Sequence, residues 1–64
     1  MKRYPAFTFY MDSPFGGWSD FIGSFDTLTE AKEAVKNSQE DYYQIVDSSI
    51  RVIVEQGYIN DLKT

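Results

Sequence analysis

Sixty-four residues with no cysteine and no histidine make one domain with neither disulfides nor soft-metal sites to hold it together. Ten acidic against six basic side chains leave a net charge of −4, the wrong sign for general binding to nucleic-acid phosphates. A chain this short buries only about 60% of the surface it exposes when unfolded, so dense aromatic packing and self-association remain as stabilisers, and Phe, Tyr and Trp make up 17% of the residues.

The chain opens "MKRYPAFTFYMDS". The apolar part of this opening is broken by Pro5 and Thr8 and is too short for the core of a signal peptide. No run approaches the roughly 20 apolar residues of a membrane span, and a cytoplasmic protein is expected. Residues 4–11 read as the first strand, with Pro5 tolerable near its start. Alternation puts Phe7, Phe9 and Met11 on one face and Ala6, Thr8 and Tyr10 on the other. Asp12, Ser13, Pro14, Gly16 and Gly17 are turn formers, and the connection they build is too long for a two-residue hairpin. It carries Phe15 and Trp18, the one tryptophan of the chain. A second strand over 20–25 sets Phe21, Gly23 and Phe25 on one face, and Gly23 marks a bulge or a close approach of the helix.

"TLTEAKEAVKN" predicts a helix over about 28–38. Thr27 and Glu30 have the capping-box spacing, Leu28, Ala31 and Val35 share a face, and Asn37 suits a left-handed C-terminal position. "YYQIVD" and "IRVIVEQ" are strands over 42–47 and 50–56, joined by a turn on Ser48 and Ser49. That closure groups Tyr43, Ile45, Ile50, Val52 and Val54 on one face. Residues 57–64 form a tail, frayed or docked by Tyr58, Ile59 and Leu62.

The fold expected over residues 1–64 is therefore α+β, ββαββ: a four-stranded, mostly antiparallel sheet with one helix on one face. Phe7, Phe9, Phe21, Phe25, Ile45, Val52 and Val54 should meet the helix. Tyr10, Ile22, Tyr42, Val46 and Ile53 fall on the opposite face, which is more apolar than the outer face of a one-sided sheet normally is.

Little in the chain supports catalysis. Without Cys or His no Ser-His-Asp or Cys-His arrangement can be built. The carboxylates of Glu40, Asp41, Asp12 and Asp20 read as solvated, because a single sheet with one helix offers little room for the apolar cleft that acid–base work requires. Asp12, Ser13 and Asp20 are a poor ligand set for a hard cation. The glycines match no phosphate-binding fingerprint. No metal and no cofactor is implied.

"DFIGSFDTLTEAKEA" followed by "DYYQIVD" resembles small uncharacterised bacterial and phage-borne proteins that share a "GSFDTLEEA"-like strand-to-helix joint and a "YYQIVD"-like strand. The shared residues build a joint and a core, so the resemblance implies a fold and carries no catalytic residue. In length, acidity and lack of catalytic machinery the chain is also similar in type to phage inhibitors of bacterial immunity such as anti-CRISPR proteins.

Three readings follow. The first is a non-enzymatic inhibitor, phage-encoded, that covers a basic surface of a bacterial defence protein through Phe15, Trp18, Asp20, Tyr10 and Tyr42. Trp18 is either such an anchor or a lid on the small core. The second is an oligomeric sponge for a nucleotide signal, with Trp18 or Tyr42 stacking the base and Arg51 or Lys36 meeting the phosphate. The third is an accessory subunit that self-associates through its sheet face. A homodimer is expected through Ile22, Val46, Ile53 and Arg51. Direct nucleic-acid binding is not expected, since the aromatic-and-basic string of RNA-binding sheets is missing.

Overall fold

The computed structural model describes residues 2–10 and 19–63, with side chains from 21 onward in the second stretch. Met11, Asp12, Phe15 and Trp18, and the side chain of Asp20, lie outside the described residues. The elements are β1 (Tyr4–Phe9), β2 (Ser19–Phe25), α1 (Leu28–Lys36), β3 (Tyr42–Asp47), β4 (Val52–Tyr58) and α2 (Ile59–Leu62). The strands form one antiparallel sheet in the order β2-β1-β3-β4. Because β2 and β3 are both antiparallel to β1, they run parallel to each other. Such a pair needs a crossover, and α1 supplies it, packing on β1, β2 and β3. The expected α+β architecture holds, with α2 as a short second helix.

The start of α1 follows its sequence. Thr27 is the N-cap and accepts from the Glu30 amide at 3.2 Å, while its hydroxyl donates to Glu30 Oε1 at 3.1 Å. The far end differs from expectation: Asn37 is the C-cap in the right-handed region, at φ −84°. Its amide finds the Ala34 carbonyl, so no left-handed residue is needed to satisfy the last turn.

The core between α1 and the sheet consists of Ala6, Ala31, Val35, Tyr43, Ile45 and Ile59, with Tyr4, Phe25, Leu28 and Leu62 packed against it. Strand β1 therefore presents the face opposite to the one expected. Ala6 pairs with Ile45 and Thr8 with Tyr43, which puts Ala6 and Thr8 beneath the helix and Phe7 and Phe9 on the far side. Ala6 and Ala31 are both fully buried. Two small side chains let the helix settle onto the central strand, where a phenylalanine on β1 would hold it off.

Two β-bulges complete the rearrangement. In β2 the register jumps from Ala6↔Gly23 to Phe7↔Phe21, so Ile22 is the extra residue. Phe21 is thereby turned away from the face that keeps Gly23 and Phe25. Gly23 does mark a bulge, as one of its two expected roles; at φ +151° an added Cβ would meet the Phe25 ring rather than α1. In β4 the register jumps from Ile45↔Glu55 to Val46↔Ile53, leaving Val54 as the extra residue. Val52 keeps its expected side opposite Asp47 but is 47% exposed, and Val54 is exposed too. Glu55 and Gly57 take the places under the helix.

The β3–β4 turn spans residues 48–51 rather than Ser48 and Ser49 alone. Asp47 organises it: its carboxylate accepts from the Ser49 amide at 3.0 Å and the Ser49 hydroxyl at 2.6 Å. Arg51, expected on the outer sheet face, sits in this turn with a left-handed φ of 58°, and Ile50 sits there as well. The tail docks. The Ile59 amide donates to the Asp41 carbonyl at 2.9 Å, and Ile59 is buried, with Leu62 packing beside it. Among the described residues no helix is long and apolar enough to cross a membrane.

Candidate functional site

Two surfaces stand out, and they meet at Tyr58. The first is the face of the sheet away from α1. Pairing sets Phe9, Tyr42 and Tyr58 in one row across three strands. The Phe9 and Tyr42 rings are 6.1 Å apart, and Tyr42 meets Tyr58 edge-on at 5.6 Å and 89°. The next row holds Phe21, Phe7, Gln44 and Gln56, with the two phenylalanine rings 5.5 Å apart. Val46 and Ile53 pair beyond it. Gln56 Oε1 accepts from the Tyr42 hydroxyl at 3.3 Å and the Gln44 amide at 3.2 Å. Every side chain described on this face is uncharged.

The second surface is a cavity of about 400 Å3 at the end of the sheet, where β3 begins and β4 runs into α2. Glu40, Asp41 and Asp61 line it together with Gln39, Tyr58 and Asn60, and Lys63 is the one cation among the described residues of the wall. The buried hydroxyl of Thr8 donates to the Glu40 carboxylate. The Glu40 amide donates to Ser38 Oγ at 3.1 Å. The Asp41 backbone is tied on both sides, donating to the Phe9 carbonyl and accepting from Ile59, each at 2.9 Å. The backbone that carries two of the carboxylates is thus set by the sheet and α2.

Ion pairs also stand along the helix side and its margins. Lys2 meets Asp26 at 3.6 Å, Lys32 meets Glu55 at 3.5 Å, and Lys36 meets Glu33 at 3.7 Å. The tightest pair is Arg3 with Asp47. Arg3 Nε donates to both carboxylate oxygens at 3.1 Å, and Nη2 donates to Oδ2 at 2.8 Å. These bonds, with those from Ser49, hold the Asp47 carboxyl well below the usual carboxylate range, and the same pairing raises the Arg3 guanidinium. Burial, reinforced by the neighbouring Glu55 carboxylate, pushes the Tyr43 phenol up.

Of the residues singled out in the sequence, Tyr42 stands at the centre of the aromatic row, with Val46 and Ile53 on the same face. Ile22 occupies the bulge, Tyr10 lies exposed just past β1, and Arg51 is in the turn. Phe15 and Trp18 lie outside the described residues. Sequence reasoning missed Tyr58, Phe7, Phe9 and Phe21. Reading Gly57 as a strand stop hid Tyr58, and alternation from a two-residue turn would pair Tyr42 with Glu55; the four-residue turn and the Val54 bulge bring Tyr58 opposite Tyr42.

The model of the family described as bacteriophage T4 protein Y07C matches residues 4–57, from the start of β1 to the penultimate residue of β4. The chain belongs to this family. It is a small phage protein, and the matched segment holds the helix-covered sheet except Tyr58, while α2 lies beyond it. No match is found among curated proteins or among solved structures.

Proposed function

We propose that this phage protein is a non-enzymatic inhibitor that docks its acidic end onto a basic surface of a bacterial defence protein. The observation that carries the reading is the excess of acid over base, ten side chains to six, with three of the acids grouped beside the Tyr58 ring in one described wall. Such a wall suits a guanidinium or ammonium group, which pairs with carboxylates and lies favourably against an aromatic face. Against a nucleic-acid groove the same carboxylates stand where phosphates would. The ends of β1 and β2 at Phe9 and Ser19 are at the same end of the sheet. The excess of acid over base also steers a cationic partner before contact. A nucleotide sponge is less well served here, because the wall would repel phosphate.

The test is capture from host lysate at low and moderate salt, using the wild type and the triple variant E40Q/D41N/D61N. All three replacements are isosteric, and the amide oxygen that E40Q introduces can still accept from Thr8. The wild type should retain a host protein that elutes as salt rises, and the triple variant should lose it. Retention of nothing by the wild type, or equal retention by the folded triple variant, rejects the proposal.

A further inference from the structure

A single helix covers one side of the sheet, and the other side keeps its aromatic rows in the open. Phe21 is 53% exposed, Tyr58 51% and Ile53 46%. We propose that the occupant of this face is a second copy of the chain, so that two sheets pack face to face in a helix–sheet–sheet–helix dimer. This goes beyond the docking of the acidic end and does not depend on it.

Three observations bear on the occupant: the first selects a second copy over another partner, and the other two show that the face can take one. The first is charge. Each chain carries −4, so two copies repel wherever their charged surfaces meet. The described sheet face has no charged side chain, and it is the broad surface on which two acidic copies can meet without opposing like charges. The second is size. The molecule is a slab of 31 × 27 × 15 Å, so its broad side has an outline of about 840 Å2. A standard stable interface removes roughly 800 Å2 from each partner, which asks for most of a broad side and fits the whole bare face. The third is polar satisfaction. The Gln56 carbonyl oxygen already serves the Tyr42 hydroxyl and the Gln44 amide within the face. Covering the face therefore does not strand those donors, which would otherwise oppose burial.

A two-fold contact is isologous, each residue of one copy meeting the symmetry-related set on the other. Sheets stacked this way lie about 10 Å apart with strand directions within about 30°. That spacing lets the Phe9–Tyr42–Tyr58 row of each copy interdigitate with its counterpart. The six buried apolar residues of the described core then gain a second apolar layer, which adds burial to a domain whose size makes it marginal.

Sedimentation equilibrium between roughly 1 and roughly 100 µM tests the assignment, since association is set by mass action. The wild type should be a dimer at the upper end. Ile53→Lys and Gln44→Lys place a buried cation in the dimer but leave the monomer core untouched, and each should weaken association by at least about tenfold. Thr29→Lys, on exposed α1, should leave it unchanged. Intermolecular contacts between Tyr42 and Tyr58 rings in a mixed isotope-labelled sample give a readout that needs no variant. A monomer throughout leaves the face to another partner and overturns the proposal. So does a dimer that ignores both lysines, or one that lacks the ring contacts.

Discussion

Beneath α1 the middle of the sheet is lined by Ala6, Thr8, Tyr43 and Ile45, and ion pairs stand around the margin; on the far side Phe7, Phe9, Phe21, Tyr42 and Tyr58 lie in rows without a charge among them. Of the described rings on the sheet, these five have gone to the uncovered side, while Tyr4, Phe25 and Tyr43 stay with the core. The difference teaches that a short helix crossing a small sheet is limited by distance before it is limited by hydrophobicity. Close approach selects small side chains at the crossing, and packing density on the covered side then comes from Ile45, Val35 and Ile59, which are essentially inaccessible.

The largest expected effect comes from breaking the covered side. Ile45→Ala removes three carbons from a site with no exposure and should cost about 2–5 kcal/mol, enough to leave so small a domain largely unfolded. Its counterpart across the sheet, Ile53→Ala, removes the same atoms from a half-exposed edge-strand position. Measured by urea unfolding at a concentration where the chain is monomeric, it should cost less than about 1 kcal/mol. Equal losses at the two positions would mean that the faces do not differ as the burial says.

A smaller effect should follow from the device that sorts residues between the faces. Gly23, at φ +151° beside the Ile22 bulge, occupies backbone that side chains rarely adopt, while the space around it is ordinary, with the Phe25 ring 3.5 Å from an added Cβ. Gly23→Ala should thus cost about 1–3 kcal/mol through the backbone alone. Amide exchange should show the loss concentrated in β2 and its pairing with β1. A neutral effect on urea unfolding would show that the bulge tolerates a side chain and does not depend on glycine.

These two residues also show where the sequence was legible. The Thr27–Glu30 cap, the apolar stripe of α1 and the alternation of Tyr43 and Ile45 are local patterns, and the structure keeps each of them. The ββαββ order and the apolar outer face at Tyr42, Val46 and Ile53 follow from the same patterns. What failed was parity. Alternation carries no sign of which face is covered, and β1 has large side chains on one face and small ones on the other, so burial favoured the wrong choice. A bulge then reverses the parity of everything beyond it, which moved Phe21 outward and brought Glu55 under the helix. The acidic cavity depends on tertiary placement, since α2 brings Asp61 to Glu40 and Asp41 across the sheet end. Adjacent carboxylates at 40 and 41 were visible, but the turn of chain that closes on them was not.

The smallest expected effect belongs to the charged margin of the covered face, and its sign is fixed by Asp47. Arg3 and Ser49 hold the Asp47 carboxyl below its ordinary value, so the folded protein binds this proton less readily than the unfolded chain does. The stabilisation is complete above the unfolded carboxylate value of about 3.9 and is lost as pH falls through the lower folded value. Thermal midpoints followed from about pH 7 to about pH 2 should therefore fall on the acid side, and Asp47→Asn should flatten that limb. At neutral pH the same substitution should lower the midpoint by about as much as the acid limb spans, since an amide at 47 resembles the protonated acid, and solvent at the half-exposed Arg3 side chain keeps both modest. Tyr43 works the other way: burial raises its phenol, so ionisation opposes folding, and stability should fall as pH rises past about 10. Tyr43→Phe should remove that alkaline limb and leave the acid one. An acid limb that persists in Asp47→Asn would place the titrating carboxylate elsewhere.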